Sequence, residues 1–436
     1  MIRMAVINHW HMALQPCVPM LGTMKMQHAL APLLLAALTA CASLSPAPSP
    51  ATGPAVEPDT VVLLSIDGLN LDALGRGNSP HIDALAAAGV QARWMTPSYP
   101  AITFPNHYSI VTGLLPDRHG IIHNQMDDPD LGRFELRDRD ALRNPGWWSD
   151  ALPIWLQARR AGLRTATFSY PGGEVAIDGQ HADLWHHYDE SLSPSQRIAR
   201  MLDWLALPQR PHLLAGYFEH VDKAGHYAGP NSEAYAQALR QIDTAVGELV
   251  AGLRQRGQLD RINLIIVSDH GMAEVPNGQV VAVEDMVDPS VARAVSVGQV
   301  IGFDPLPGQQ AEAHRQLVGA HTRYDCWPRG ELPARWQYGS HRRIPAIICQ
   351  MHEGWDANHR HILARRAPGV RGSHGYDIDL PSMRSPFIAH GPAFRRQAVI
   401  EPIANVDVYP LMTGLLGLSL PPNDGNPAAT ADALAR

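Results

Sequence analysis

Apolar positions along this chain fall into short continuous runs alternating with helical patterns, and that alternation predicts an α/β fold. Val61-Val62-Leu63-Leu64-Ser65-Ile66 and Ile262-Asn263-Leu264-Ile265-Ile266-Val267-Ser268 are nearly continuous over strand length, as expected of central strands covered on both faces by helices. Thr165 to Phe168 reads as a further strand, and from Leu213 the stretch LLAGYFEHVDKAGH reads as a strand opening into a loop. Asn78-Ser79-Pro80-His81 is a cap followed by an early-turn proline, opening an amphipathic helix that ends at Gly89. Pro153 to Gly162 reads as another helix. Ser232 to Arg256 places Ala238, Ile242, Ala245, Leu249 and Leu253 at helical spacing with charges opposite, which predicts a core-packing helix. Between Ala273 and Val370 the buried-strand pattern lapses, although Ile344 to Met351 could form a strand, so a smaller inserted subdomain is expected at about 275–370. Core patterning returns at Gly372 and in Phe387-Ile388-Ala389.

The fold is expected to begin near Thr60 and to run to about residue 425. Before it, Met24-Lys25 opens a basic segment that runs into the apolar stretch Ala29 to Ala40, the pattern of a signal peptide over residues 1–40 with Met24 as the expected true start. The run is shorter than the ~20 residues of a membrane-spanning helix. It ends in Leu38-Thr39-Ala40-Cys41, which resembles a bacterial lipoprotein box, so that Cys41 would be lipidated and tether the exported protein to a membrane. Ala42 after it favours the outer membrane, with the protein on the periplasmic face. An ordinary secretory signal with an incidental cysteine is the other reading. Residues 41–59 form a Pro/Ala/Ser-rich tether. With Cys17 removed, Cys326 and Cys349 remain as a disulfide pair or as two buried thiols.

At 436 residues, one large α/β unit with an insertion fits as well as two domains. With 45% hydrophobic and 18% charged residues the composition is globular. A net charge of -7 disfavours a protein that coats nucleic-acid polymers, so any phosphate substrate must be held by local features.

Those local features are residues of the kind that hold metals and activate hydroxyls. Ser98 to Gly113 reads SYPAITFPNHYSIVTG, with Thr103 ahead of a helix expected to start at Tyr108, so that helix amides can face an anion beside the hydroxyl. A hydroxyl is a feeble nucleophile without a base or metal. Asp67, Asp222, His226, Asp269, His270 and His374 form separated clusters of oxygen and imidazole ligands, the set that a pair of zinc ions would require. Two of the apolar strands end in these types, at Asp67-Gly68 and at Asp269-His270, and Asp222 and His226 lie four apart. Each has a plainer reading: an Asp-Gly turn, a surface Asp/His pair, a histidine in a glycine-rich turn. In PDRHGIIHN, His119 and His123 read as hydrogen-bonded structure, whereas Asn124 offers a neutral amide donor to a phosphate.

Taken together, VVLLSIDGL, TFPNHYSIVTG, HGIIHN, YFEHVDKAGH, IIVSDHGM and GSHGYD resemble, in order, the motifs of the nucleotide pyrophosphatase/phosphodiesterase family of the alkaline phosphatase superfamily. The resemblance implies an alkaline-phosphatase-like, mostly parallel central sheet flanked by helices. It implies two zinc ions, one held by Asp222, His226 and His374, the other by Asp67, Thr103, Asp269 and His270. It makes Thr103 the nucleophile of a phospho-threonine mechanism, pairs Asn124 with the Thr103 amide on a phosphate oxygen, and places Phe104 and Tyr217 on either side of a nucleobase. Ile378, where Asn would follow GYD, departs from the pattern. The implied substrates are small phosphodiesters or nucleotides. A phosphomonoesterase or lipid-headgroup phosphodiesterase on the same core is the alternative, and a non-catalytic periplasmic binding module a more distant one. A monoester calls for extra positive charge, which only Arg118, Arg371 or Arg384 could bring from beside the motifs.

Overall fold

The computed structural model describes residues 59–435. The expected leader, Cys17, Cys41 and all of the tether except Asp59 lie outside them.

The chain is organised by an eight-stranded sheet whose order is Ala398–Ile400, Val90–Ala92, Phe387–His390, Ile262–Val267, Thr60–Ile66, Leu213–Phe218, Thr165–Phe168, Leu184–His186. Every pairing is parallel except those that Phe387–His390 makes with its two neighbours. Strand Thr60–Ile66 is buried throughout, and its residues serve the two faces alternately. Val61 and Leu63 pack with the helices Thr103–Thr112, Ile154–Arg160 and Val408–Leu415. Val62, Leu64 and Ile66 pack with Pro80–Ala88, Pro194–Leu205 and the long helix Glu233–Gln255. Its cap is Ser232, which accepts from the Tyr235 amide.

Local structure departs from expectation in three places. The helix expected at Tyr108 starts at Thr103, because proline at the third position is tolerated in a first turn that needs no amide there. Asp222 and His226 sit on a helix, His220–Ala228, rather than in a loop. Where only Ile344 to Met351 was expected to be extended, a separate five-stranded sheet forms in the order Ala292–Ala294, Val300–Pro305, Ile347–Met351, Tyr324–Pro328, Gly319–Ala320. Ile347–Met351 is buried throughout, but the strands Ala292–Ala294, Gly319–Ala320 and Tyr324–Pro328 are short and only partly buried, so they leave no continuous apolar run.

Cys326 lies opposite Cys349 on adjacent strands of this small sheet, and the two are joined as a disulfide. The bridge closes a loop of sequence separation 23, for which chain entropy gives about 3 kcal/mol. Reduction or Cys326→Ser should therefore lower stability by about that amount in denaturant titration. Two freely alkylated thiols in denatured, unreduced protein would contradict the pairing.

Candidate active site

Strand register assembles the site. Ile66 lies opposite Phe218, and Ser65 opposite Val267, so Asp67, Glu219 and Ser268-Asp269 leave the sheet at one edge, the carboxyl edge. Asp222 and His226 come from the helix after Phe218, and His374 follows the strand Arg371–Ser373, which pairs with Ala273–Val275 just beyond His270. Gly68 has φ 65°, and a Cβ there would lie 2.9 Å from Asp222 Cα. Its role is to let the helix carrying Asp222 approach the end of the first strand. Gly372 does likewise for the Gly225 carbonyl, 2.5 Å from where its Cβ would stand.

The donors converge with their bare atoms facing one another. His226 Nδ1 lies 3.0 Å from the Gly372 carbonyl, His270 Nδ1 2.9 Å from that of Gly271, and His374 Nδ1 2.9 Å from that of Ala101. A carbonyl can only accept, so each Nδ1 carries the proton and each Nε2 presents a lone pair. His374 Nε2 is nonetheless 3.1 Å from His226 Nε2, and Asp222 Oδ1 is 3.4 and 3.5 Å from the two. His270 Nε2 stands 2.9 Å from Asp269 Oδ2 and 3.6 Å from Asp67 Oδ1. Asp67 Oδ1, Asp222 Oδ1 and Asp269 Oδ2 are buried and accept no hydrogen bond. Carboxylate oxygens and imidazole lone pairs at such separations repel one another, and a divalent cation is the partner that such a donor set fits. Two groups of such atoms lie within 4.8 Å, Asp67/Asp269/His270 and Asp222/His270/His374. His226 joins the second through the contacts above.

Titration follows the same crowding. Burial, then the carboxylates of Asp269 and Asp222, push Asp67 well above the usual carboxylate range, and burial raises Asp222 against the pull of His226 and His270. For Asp269 burial acts upward, but His270 and His107 outweigh it and hold the group well below that range. Burial resists charging His270 as well, and Asp269 overcomes it, drawing onto Nε2 a proton that a cation at this site would displace. Burial followed by His270 and His226 holds His374 far below the ordinary imidazole range. For Asp67 and Asp222, whose folded values are raised, stability is lost as pH climbs above the unfolded carboxylate range near ~4. At neutral pH a bound cation removes that cost.

Thr103 occupies the first turn of its helix, behind Ile102, which supplies no side-chain cap, and its Oγ1 is 3.4 Å from His270 Nε2. His107, one turn along, was missed by sequence reasoning. It is fully buried, with Nδ1 2.9 Å from the Thr103 carbonyl and 3.3 Å from Asp269 Oδ2, and Nε2 2.9 Å from Ser65 Oγ. It therefore ties the helix that carries Thr103 to the strand end, and its four-residue spacing from Thr103 was the available signal. Asn124 Oδ1 accepts from the Phe104 amide at 3.0 Å, which leaves the side-chain NH2 free to donate. Tyr217 lines the site, but its hydroxyl donates to Asp67 Oδ2 at 2.6 Å. His119 is structural: burial drives it down to about 3, and its ring bonds Ser109 and the Ile121 amide. His123 is buried, and its Nδ1 accepts from the Gln125 amide.

Two cavities flank these groups. One, of about 310 Å³, is lined by Asp67, Thr103, Phe104, Tyr188, Tyr217 and Asp222 among others. Tyr188, also missed, stands in a loop that gives no periodicity, with its ring centroid 6.3 Å from that of Tyr217. The other, of about 590 Å³, is lined by Asn124, His226 and His374 together with Gln299 and His359 from the 275–370 region. Arg118, Arg371 and Arg384 line neither: Arg118 pairs with Asp424, and Arg384 lies 4.0 Å over the Trp94 ring.

A mostly parallel sheet whose strand ends bring carboxylates, imidazoles and a helix-terminal hydroxyl into one buried cluster defines a metal-dependent hydrolase. The family model for type I phosphodiesterase / nucleotide pyrophosphatase matches residues 61–377, and the chain belongs to that family, within the alkaline phosphatase superfamily. It is 32% identical over 397 residues to human ectonucleotide pyrophosphatase/phosphodiesterase family member 5, covering 90% of this chain and 81% of the relative. To the bis(5'-adenosyl)-triphosphatase of Xenopus laevis it is 33% identical over 378 residues, covering 86% and 81%. The solved murine ectonucleotide pyrophosphatase/phosphodiesterase 5, an inactive threonine-to-alanine form in complex with AMP, superposes with a TM-score of 0.82 at 30% identity, over 86% of this chain and all of that one.

If the Tyr217 hydroxyl orients Asp67 for a cation, Tyr217→Phe should keep the packed ring and weaken metal binding. Added Zn2+ should raise the melting temperature of chelator-treated wild type at pH 7. The variant should need about ten- to a hundredfold more ion for the same rise. Superimposable titrations would show that the hydroxyl does not serve the ligand.

Proposed function

We propose that this protein is a two-zinc phosphodiesterase and nucleotide pyrophosphatase, cleaving small nucleotide-type diesters or pyrophosphates through a phospho-threonine on Thr103. The observation that carries the reading is the position of Thr103: a helix-terminal hydroxyl beside both ligand groups and on the wall of the Phe104 cavity. Asp222, His226 and His374 would hold one ion, and Asp67, Asp269 and His270, with Thr103, the other. Mixed nitrogen and oxygen donors favour zinc over magnesium. Bound there, the ions supply Lewis acidity for the threonine hydroxyl and countercharge for the phosphoryl oxygens.

The chain's own residues do the rest. Thr103 Oγ1 forms a bond to phosphorus as the bond to the leaving group breaks. The displaced electron pair, and the proton lost by the hydroxyl, end on the departing oxygen. Water then cleaves the Thr103 ester and restores the hydroxyl, so the phosphorus centre inverts twice. The Thr103 amide and the Asn124 NH2 would donate to a non-bridging oxygen, a role supported by the bond that holds Asn124 Oδ1 on the Phe104 amide. Phe104 with Tyr188 and Tyr217 offers an aromatic surface to a nucleoside. The relatives' names support nucleotide substrates, and a threonine-to-alanine change in the inactive murine relative supports the nucleophile. Relatives named as ectoenzymes support export. Lipidation of Cys41 and outer-membrane attachment remain part of the proposal on the strength of the leader alone.

The three arginines beside the motifs that a monoesterase could have used, Arg118, Arg371 and Arg384, stay outside both cavities, which favours the diesterase reading. The purified protein should thus hydrolyse the nitrophenyl ester of a nucleotide with a higher kcat/KM than nitrophenyl phosphate, and a chelator should abolish both activities. A higher value for the monoester would sink the diesterase reading. Thr103→Ala should lower diester turnover by several orders of magnitude while metal analysis still finds about two zinc ions per chain. Near-wild-type turnover by that variant would refute the nucleophile.

A further inference from the structure

The hairpin of Gln125–Asp128 and Gly132–Glu135 runs on into Leu136-Arg137, and this pair lines both cavities, the one with Phe104 and Tyr188 and the one with His226 and His374. The segment therefore lies where the two cavities meet, and a substrate spanning both would pass it. Its other arginines are committed. Arg133 donates to Asp127, Glu135 and the Val295 carbonyl; Arg139 to the Tyr188 carbonyl, with Glu174 at 3.5 Å; Arg143 to Glu174. Neighbouring carboxylates are committed too, because Glu135 faces Arg133 and Asp138 caps the next helix by accepting from the amides of Asp140 and Ala141. Arg137 is exposed and, among the described residues, makes no hydrogen bond or ion pair.

The cavity beyond it has Glu135 as its one carboxylate, and Arg133 neutralises that group. A polar cavity with no uncompensated negative charge and a free guanidinium at its mouth is suited to an anion. We propose that Arg137 binds the phosphate of the leaving group and so sets how far this chain prefers pyrophosphate-linked nucleotides over diesters whose leaving group carries no phosphate. This rests on the phosphodiesterase reading above. When Thr103 displaces such a group, the bond from the transferred phosphorus to the bridging oxygen breaks and its electron pair stays with the departing phosphate. That group gains negative charge in the transition state, where a guanidinium contributes most.

The test compares a dinucleotide joined through a pyrophosphate with the nitrophenyl ester of a nucleoside 5'-monophosphate. Arg137→Gln should reduce the ratio of their kcat/KM values by about tenfold or more, with Arg137→Lys in between. In a Thr103→Ala background, where the dinucleotide stays uncleaved, Arg137→Gln should raise its dissociation constant by a similar factor in calorimetry. An unchanged ratio would overturn the proposal, and so would an equal loss on both substrates, which would assign Arg137 to the transferred phosphoryl group. Wild type that cleaves neither substrate would overturn the phosphodiesterase reading and this inference with it.

Discussion

The fold is built to hold like charges and lone pairs together at the carboxyl edge of one sheet. Asp67, Asp269 and His270 are almost wholly buried, with acceptor atoms turned toward one another and away from water. Burial of uncompensated carboxylates costs several kcal/mol each. An arrangement like this is maintained only if the surrounding structure leaves the side chains no other place to go.

That restraint comes from backbone. Each of His226, His270 and His374 is fixed through Nδ1 on a main-chain carbonyl, so the tautomer and ring angle are set before any ligand arrives. Asp67 and Asp269 are each held through one oxygen, by Tyr217 and by the Gly68 amide, leaving the other oxygen to the cluster. Behind Asp222, Arg197 is completely buried against Glu219 and also donates to the carbonyls of Tyr217 and Asp189. It binds the end of the strand Leu213–Phe218 to the loop that carries Tyr188, so the same guanidinium fixes the segment leading to Asp222 and one wall of the Phe104 cavity. Removing either partner would leave the other buried without countercharge.

How much of this was legible in the sequence follows from what each feature needs. The central strands were readable because a strand covered on both faces must be apolar at every position, as Val61 to Ile66 is. Asp67, Asp269 and His270 were readable as candidates because they sit where those runs stop. The small sheet was readable only at Ile344 to Met351, since its other strands are short or mixed in burial and leave no apolar run of comparable length. Thr103 was placed ahead of its helix because Pro105 reads as a turn, although a first turn accepts proline. Tyr217 was assigned to a nucleobase by its place in a motif. That its hydroxyl serves Asp67 depends on the parallel register of Ser65 with Tyr217, a pairing with no local signature.

The two cavities divide the substrate by its chemistry. On one side Phe104, Tyr188 and Tyr217 make a surface that is aromatic, with the cations near its rim other than Arg137 already paired, such as Lys223 with Glu190 and Arg139 with Glu174. Such a wall rewards a flat, weakly polar ring and gives little to a second phosphate. On the other side the lining is imidazole, amide and guanidinium, drawn partly from the 275–370 region that the family's core motifs do not reach. With Thr103 as the proposed nucleophile the phosphorus would sit between them, so the direction in which a substrate binds would determine which oxygen departs. A nucleotide bound ring-first against Phe104 leaves its 5'-phosphate at the threonine and everything beyond that phosphate in the polar cavity. The product retained on the aromatic side is then a nucleoside monophosphate, and the chemistry of whatever lies beyond the bridging oxygen is judged by the polar cavity alone.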